Sequence, residues 1–167
     1  MLAKLQFDFV VNKEKSTLTV TREFAGPRRL VWDCHTQSAL LDRWFAPKPL
    51  STKTKHMEFK EGGYWHYAMV TPDGQAYWSR VDYLAIRPID SYATLDGFTD
   101  ETGVVNADMP RSRWDVTFSD LKEHTLVTTV VHYNSPEDVQ KVIDMGMKEG
   151  MASTLERLDE LLLTLRA

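Results

Sequence analysis

Histidine is the side chain that most readily supplies acid–base chemistry near neutral pH. The histidines of this sequence are scattered along the chain rather than clustered: His35, His56, His66, His124 and His132. His132 shares the strand phase of Thr128 and Val130, which predicts a ring that faces the interior and can act as a buried acid or base. A core histidine satisfied by hydrogen bonds explains the same pattern more simply.

Motifs for catalysis by other routes are missing from the sequence. It contains no His-Glu-x-x-His zinc motif, no glycine-rich phosphate loop and no Gly-x-Ser-x-Gly nucleophile elbow. Cys34 is the single cysteine and is interpreted as a small buried apolar side chain. We therefore predict no catalytic residue, no metal site and no cofactor.

Aromatic residues are the stronger signal for binding. In the segment 64–70, Trp65, Tyr67 and Met69 alternate onto one face, and in the segment 113–118 Trp114 leads a similar face. These faces are expected to point inward, with Tyr67, Tyr83 and His132 as polar groups that orient a ligand. A sheet needs such a core whether or not anything binds, so core packing remains the alternative.

Gly146 and Gly150 flank Met147 in the most helical part of the sequence. Glycine inside a helix costs about 1 kcal/mol relative to alanine, so a compensating feature is expected. Missing side chains leave room beside a sheet, and methionine provides an adaptable lining. The ligand pocket predicted from these patterns comprises Trp44, Phe45, Trp65, Tyr67, Met69, Trp78, Tyr83, Phe98, Trp114, His132, Met147 and Met151.

The N-terminal half begins with a strand and two short helices. Residues 17–24 alternate apolar and polar side chains, which is typical of a strand with one solvated face, and residues 7–11 predict a short strand before it. Pro27 fits the first turn of a short helix, and a second short helix is predicted over residues 38–45.

A meander of hairpins follows from residue 53. Strands are predicted over 64–70, 76–86, 91–98, 113–118 and 125–133, with a turn at Pro72-Asp73-Gly74 and a polar loop over 99–110. No alternation of strands and helices exists, which excludes parallel-sheet nucleotide folds.

One long helix is predicted at the C-terminus. Ser135 supplies an N-cap, Pro136 a first-turn proline, and Glu137 and Asp138 two carboxylates at the positive end of the helix dipole. Apolar residues then recur at threes and fours over about 30 residues, ~45 Å of helix. Their stripe predicts an α+β fold in which a curved antiparallel sheet wraps the helix.

Composition limits the classes of partner. The 167-residue chain carries a net charge of -4 and no basic stripe, which argues against nucleic acid. No segment has the ~20 apolar residues of a membrane span and the N-terminus lacks a signal sequence, so a cytoplasmic protein without membrane insertion is expected. Nothing marks a linker, which predicts one domain over residues 1–167 with an N-terminal extension over 1–15.

A set of short motifs resembles a known family. The motifs are Thr21-Arg-Glu-Phe24, Val31-Trp32, Trp44-Phe-Ala-Pro47, Glu61-Gly-Gly-Tyr-Trp65, Pro72-Asp-Gly74 and Met145-Gly-Met-Lys-Glu-Gly150. In order and spacing they resemble the bacterial SRPBCC proteins, in the subgroup homologous to the C-terminal domain of the activator of the 90-kDa heat-shock protein ATPase. The resemblance covers roughly residues 17–163. It implies the START-like, or birch-pollen-allergen-like, helix-grip fold with a hydrophobic cavity between sheet and helix.

The function implied is binding of an apolar small molecule, lipid-like or polyketide-like. Two alternatives stay open: a co-chaperone-like partner of a heat-shock chaperone, and a cavity enzyme of the cyclase or hydrolase type. The eukaryotic co-chaperone uses an additional N-terminal domain that this chain does not match, which argues against the chaperone. A homodimer through residues 17–24 as an edge strand, or through the surface near Trp32, is the remaining expected partnership.

Overall fold

The computed structural model describes residues 5–166, without the side chain of Arg166. Its centre is one antiparallel sheet of eight strands in the order β1-β2-β8-β7-β6-β5-β4-β3. The strands are β1 (Phe7–Asn12), β2 (Thr17–Phe24), β3 (Ser51–Met57), β4 (Tyr64–Val70), β5 (Ala76–Arg87), β6 (Ser91–Phe98), β7 (Ser112–Leu121) and β8 (His124–His132). From β3 onward each strand pairs with the next in the chain, and β8 returns beside β2.

Helices occupy two places in the chain. Two short helices, α1 (Arg28–Thr36) and α2 (Ser38–Leu41), follow β2, and two more, α3 (Pro136–Asp144) and α4 (Met147–Arg166), follow β8. Ser135 caps α3 as expected, because its hydroxyl accepts a hydrogen bond from the Asp138 backbone N–H at 3.1 Å.

The core forms where the inner face of the sheet meets α1 and α4. Strand β2 illustrates the arrangement, because its side chains alternate between partly exposed and buried, with Leu18, Val20 and Phe24 among the buried ones. The helices contribute buried residues to the same core, Val31 and Trp32 from α1 and Leu155, Leu158, Leu161 and Leu162 from α4. The predicted helix-grip fold is therefore confirmed, with a curved sheet holding the apolar face of the C-terminal helix.

The C-terminal segment differs from the prediction of one unbroken helix. α3 ends at Asp144 and α4 begins at Met147. Between them Gly146 adopts a φ of +89°, a left-handed conformation that ends a helix and that glycine adopts without a steric penalty. Gly146 is thus a helix-terminating residue and not, as predicted, a gap inside a helix. The apolar stripe continues across the break, with Val139 and Val142 buried on α3.

The second helix is also shorter than its predicted range of residues 38–45. After Leu41 the backbone tightens, as Trp44 N donates to Leu41 O at 3.2 Å. The Asp42 side chain accepts hydrogen bonds from the backbone N–H (3.0 Å) and the hydroxyl (2.6 Å) of Thr54. Residues 42–46 are thereby tied to β3 and turn toward the sheet.

The edge of the sheet lies elsewhere than expected. Residues 17–24 form β2, which is flanked by β1 and β8, so the proposed pairing of this strand with a second copy is wrong. The edges are β1 and β3. Trp32 is 5% exposed and packs edge-to-face against Phe118 at 5.1 Å, so it offers no aromatic surface for a dimer.

Candidate functional site

A cavity of about 80 Å³ lies between the inner face of the sheet and the helices. Strands β4 to β8 form one wall, α4 forms the opposite wall, and α1 with the segment after α2 closes one end. The lining residues are His35, Leu41, Trp44, Phe45, Trp65, Val81, Tyr83, Tyr92, Thr94, Asp96, Trp114, Val116, Thr129, Met151, Thr154 and Leu155. Most of this lining is apolar or aromatic, as in small-molecule sites generally.

Aromatic rings at the α2 end of the cavity hold one another in place. Trp65 and Tyr67, two residues apart on β4, stack with their centroids 3.9 Å apart. Phe45 packs edge-to-face against Trp65 at 5.1 Å and against Trp44 at 5.3 Å. Such contacts stabilise ring orientation beyond simple burial, so this wall is preorganised.

Each tryptophan of the lining donates its indole N–H to the protein. Trp44 Nε1 donates to Cys34 O at 2.9 Å, Trp65 Nε1 to Thr54 Oγ1 at 3.0 Å, and Trp114 Nε1 to Ser112 Oγ at 2.8 Å. The rings therefore present carbon surface to the cavity while their polar atoms are satisfied outside it.

Asp96 is the acidic group of the cavity. It follows Tyr92 and Thr94 on the inner face of β6, and the Thr94 hydroxyl donates to Asp96 Oδ1 at 2.7 Å. Burial raises the pKa of Asp96 to about 7, against the lowering effects of the Thr94 hydrogen bond and the Arg111 charge. The side chain nevertheless keeps some accessible surface. Its position in the wall of the cavity accounts for both the burial and the remaining accessible surface.

Four tyrosines lie within range of the negative charge of Asp96. Burial is the main cause that raises the pKa of Tyr67, Tyr83, Tyr92 and Tyr133 above the ordinary value, and the negative charge of Asp96 is a further cause for each. These phenols stay protonated at physiological pH and can donate hydrogen bonds.

His35 of α1 is the histidine of the lining. Its ring packs edge-to-face on Trp44 at 5.0 Å, and its Nδ1 lies 2.8 Å from the Val31 carbonyl oxygen. Burial lowers the pKa of His35 to about 4, so the imidazole is neutral at pH 7. A neutral ring that donates from Nδ1 keeps an acceptor at Nε2.

The structure brings part of the predicted pocket together. The predicted residues that line the cavity are Trp44, Phe45, Trp65, Tyr83, Trp114 and Met151. Tyr67 and Met69 are on the inner face and pack in the core, but they are not among the lining residues. Met147 packs in the smaller cluster with Tyr133, whose hydroxyl lies 3.5 Å from the Met147 sulfur. Phe98, at the end of β6, is 37% exposed.

Trp78 and His132 lie on the outer face of the sheet. Trp78 packs against His66 with 4.9 Å between centroids and receives Lys55 Nζ over its ring at 5.5 Å. The His132 side chain is 45% exposed, and its Nε2 lies 3.1 Å from Asp115 Oδ2. The prediction that His132 faces the helix is therefore wrong.

The error on His132 has a physical reason. The inner face of β8 is formed by Val127, Thr129 and Val131, which alternate with Val130 and His132 on the outer face. Because valine and threonine occur on both faces, the alternation in the sequence did not distinguish the interior. The cavity enzyme that relied on His132 loses its acid–base group.

Asp96, Tyr92 and His35 were missed. A signal for Asp96 existed, because aspartate is disfavoured inside strands and this residue is the one charge in the segment 91–98. Its phase with Tyr92 on β6 would have placed both in the lining. His35 gave no comparable signal, since a histidine in the last turn of a helix is common at the surface.

Metal sites and membrane spans are the other classes of site to consider. Among residues 5–166 no group of histidine, cysteine, aspartate or glutamate side chains is arranged to hold a metal ion. No helix in the described part of the chain has the length and apolar character needed to cross a bilayer.

Comparisons with known proteins agree with the geometry. The profile of the family described as "Activator of Hsp90 ATPase homolog 1-like protein" matches residues 25–163. Protein Ms6760 from Mycobacterium smegmatis is 32% identical, with a TM-score of 0.86 over 95% of this chain and 97% of that one. A protein from Arthrobacter aurescens is 27% identical, with a TM-score of 0.88 over 94% and 91%. No curated protein matches the chain.

Proposed function

The chain belongs to the family of Activator of Hsp90 ATPase homolog 1-like proteins, and from this premise we propose that it binds a small, largely apolar molecule in the cavity between the sheet and α4. The observation that carries the proposal is the incomplete filling of this interface. Protein interiors otherwise pack as densely as organic crystals, so an unfilled space of about 80 Å³ between the sheet and the helices requires an explanation.

The size of the cavity limits the ligand. A water molecule takes up about 30 Å³ in the liquid, and an apolar cavity of roughly 150 Å³ accommodates benzene. The present volume of about 80 Å³ lies between the two. In this conformation the cavity admits a molecule of few heavy atoms, and a lipid-like or polyketide-like ligand requires α4 or the segment after α2 to move outward.

The preorganised walls favour binding over simple core packing. The indole N–H groups are satisfied by the protein, so an apolar ligand leaves no tryptophan donor unpaired. Met151 of α4 adds a flexible thioether side chain that adapts to the shape of the ligand.

The test uses neutral probes with branched four- and five-carbon skeletons, isobutanol and 2-methylbutane, titrated into labelled protein. We expect them to shift the NMR signals of the Met151 and Val116 methyl groups and of the Trp65 indole N–H.

Two substitutions on neighbouring residues of β8 provide the matched control. Thr129→Ile enlarges a side chain of the lining, and we expect it to weaken binding of both probes strongly. Thr128→Ile makes the same chemical change at the adjacent position on the outer face and leaves binding intact. Absence of any shift in the wild type, or equal binding by the two variants, would contradict the proposed function.

A further inference from the structure

Most of the hydrogen-bond donors in the lining are already engaged by the protein. The tryptophan N–H groups bind partners outside the cavity, the Thr94 hydroxyl donates to Asp96, and the Thr154 hydroxyl donates to Gly150 O at 2.8 Å. A ligand that offers only acceptors therefore finds few partners, namely the tyrosine and Thr129 hydroxyls.

Acceptors, in contrast, remain free. Thr94 occupies one oxygen of Asp96, and no hydrogen bond from the described residues reaches the other, Oδ2. His35 donates through Nδ1 to Val31 and keeps the Nε2 lone pair. The Asp96 oxygen and the His35 nitrogen are thus open to a ligand with N–H or O–H donors.

The Asp96 carboxylate also has no ion-pair partner among residues 5–166. The positive charge of Arg111 lowers the pKa of Asp96. The Arg111 guanidinium, however, makes its ion pair with Asp82 Oδ2 at 3.2 Å. None of the described residues that line the cavity is lysine or arginine. The cavity thus holds one carboxyl group without a matching positive charge.

The walls around this carboxyl group favour a cation as well. Trp65, Tyr83, Tyr92 and Trp114 line the same space, and the π systems of such rings attract an ammonium group. Resting on the proposed function, we propose that the ligand is a small apolar molecule with one protonated amine, which the Asp96 carboxylate binds as its counter-ion. The aromatic rings hold the apolar part.

The titratable groups that interact electrostatically with Asp96 are consistent with this assignment. They are Tyr67 of β4, Asp82 and Tyr83 of β5, Tyr92 of β6, Arg111 before β7 and Tyr133 after β8. The tyrosines stay neutral, and Arg111 and Asp82 are paired with each other. Asp96 is therefore the group that changes charge near neutral pH, since burial raises its pKa to about 7. His35 lines the cavity but is already neutral there.

The decisive experiment compares three probes of the same shape: isobutylamine, which is protonated in water, isobutanol and 2-methylbutane. NMR titration at about pH 8.5, where Asp96 is ionised and the amine still charged, should show the ammonium binding at least about tenfold more tightly than isobutanol. At about pH 5.5, where Asp96 is protonated, this preference should disappear.

Two variants locate the effect. Asp96→Asn keeps the shape of the side chain without its charge, and we expect it to abolish the preference for the ammonium while isobutanol still binds. Glu123→Gln removes one carboxylate from the exposed turn between β7 and β8 and should change nothing. If Asp96→Asn does not fold, the proposal is tested by the wild type alone, through the loss of its preference for the ammonium between about pH 8.5 and pH 5.5.

The outcomes separate the two proposals. Equal affinity for isobutanol and isobutylammonium at both pH values overturns the amine assignment but leaves the apolar binding site standing. An ammonium preference that survives in Asp96→Asn assigns it to other groups and also overturns the proposal. Failure of all three probes to bind removes the proposed function itself.

Discussion

The Arg22 guanidinium donates a hydrogen bond to the Asp159 carboxylate and so ties β2 of the sheet to α4. Arg22 is 7% exposed, and it also donates to the Glu23 carbonyl oxygen and lies over the Phe24 ring at 4.9 Å. The other carboxylate oxygen of Asp159 is buried without a partner among the described residues. This pair therefore fixes the helix on the sheet at a position where either charge alone would be poorly solvated.

We predict that Arg22→Met destabilises the protein by about 3 kcal/mol, because it leaves the Asp159 carboxylate partly buried and unpaired. Urea unfolding followed by circular dichroism measures the change. Lys48→Met is the control: it removes an ion pair between Lys48 and Glu160 of α4 whose side chains are 60% and 62% exposed. It should cost less than about 1 kcal/mol. Equal losses in the two variants would show that burial of the Arg22 pair is irrelevant.

Opposite effects are expected from alanine at Gly146 and Gly150. Gly146 has a φ of +89°, so Gly146→Ala should destabilise by about 1 kcal/mol through backbone strain. Gly150 lies within α4, and a β-carbon there would meet only Pro47 Cγ at 3.9 Å. Gly150→Ala should therefore stabilise by up to about 1 kcal/mol. Thermal unfolding of both variants tests the pair, and a gain in stability for Gly146→Ala would contradict the assigned helix break.

The strands of the fold were predictable from the sequence, whereas the helix break at Gly146 was not. Strand alternation identified β2, β4 and β6 with the bounds observed, because turn or break residues such as Gly26-Pro27, Gly62-Gly63 and Pro72-Asp73-Gly74 mark their ends in the sequence. Helical periodicity, in contrast, continues across the break at Gly146, since the apolar stripe serves both helices. A left-handed glycine and an interior glycine look alike in a sequence, and the backbone conformation alone separates them.

The candidate site was predictable only in its aromatic part. Trp65 and Trp114 alternate with polar residues on strands whose inner phase is clear, and both line the cavity. His132 and Trp78 belong to strands with apolar residues on both faces, where the phase depends on what packs against each side. Asp96 and His35 line the cavity from different elements, β6 and α1. The packing of α1 on the sheet, which brings both residues to one cavity, is a property of the tertiary structure.

The buried His35 ring should titrate well below neutral pH. Burial lowers its pKa from 6.5 to about 4, so its contribution to stability is complete above about pH 6.5 and is lost as the pH falls toward 4. NMR titration of the imidazole carbon-bound protons should give a midpoint near this value. A midpoint close to that of an exposed histidine, ~6.5, would mean that the ring is solvated.

Asp96 should affect stability with the opposite sign over an overlapping pH range. Burial raises its pKa from 3.8 to about 7, so the folded state holds the proton more tightly than the unfolded chain. The contribution of Asp96 is therefore complete below about pH 4 and is lost as the pH rises through 7. Because each pKa unit corresponds to roughly 1.4 kcal/mol, the loss amounts to at most about 4 kcal/mol.

The contributions of His35 and Asp96 partly cancel in the wild type between about pH 4 and 6.5, so the difference from Asp96→Asn isolates the carboxyl group. We expect the free energy of unfolding of the wild type to fall relative to that of Asp96→Asn between about pH 4 and pH 8, measured by urea unfolding in one buffer series. Isobutylamine should reverse this trend in the wild type alone, because its ammonium stabilises the ionised carboxylate. A constant difference across the series would show that Asp96 is solvated and that the cavity lacks the buried charge on which amine binding depends.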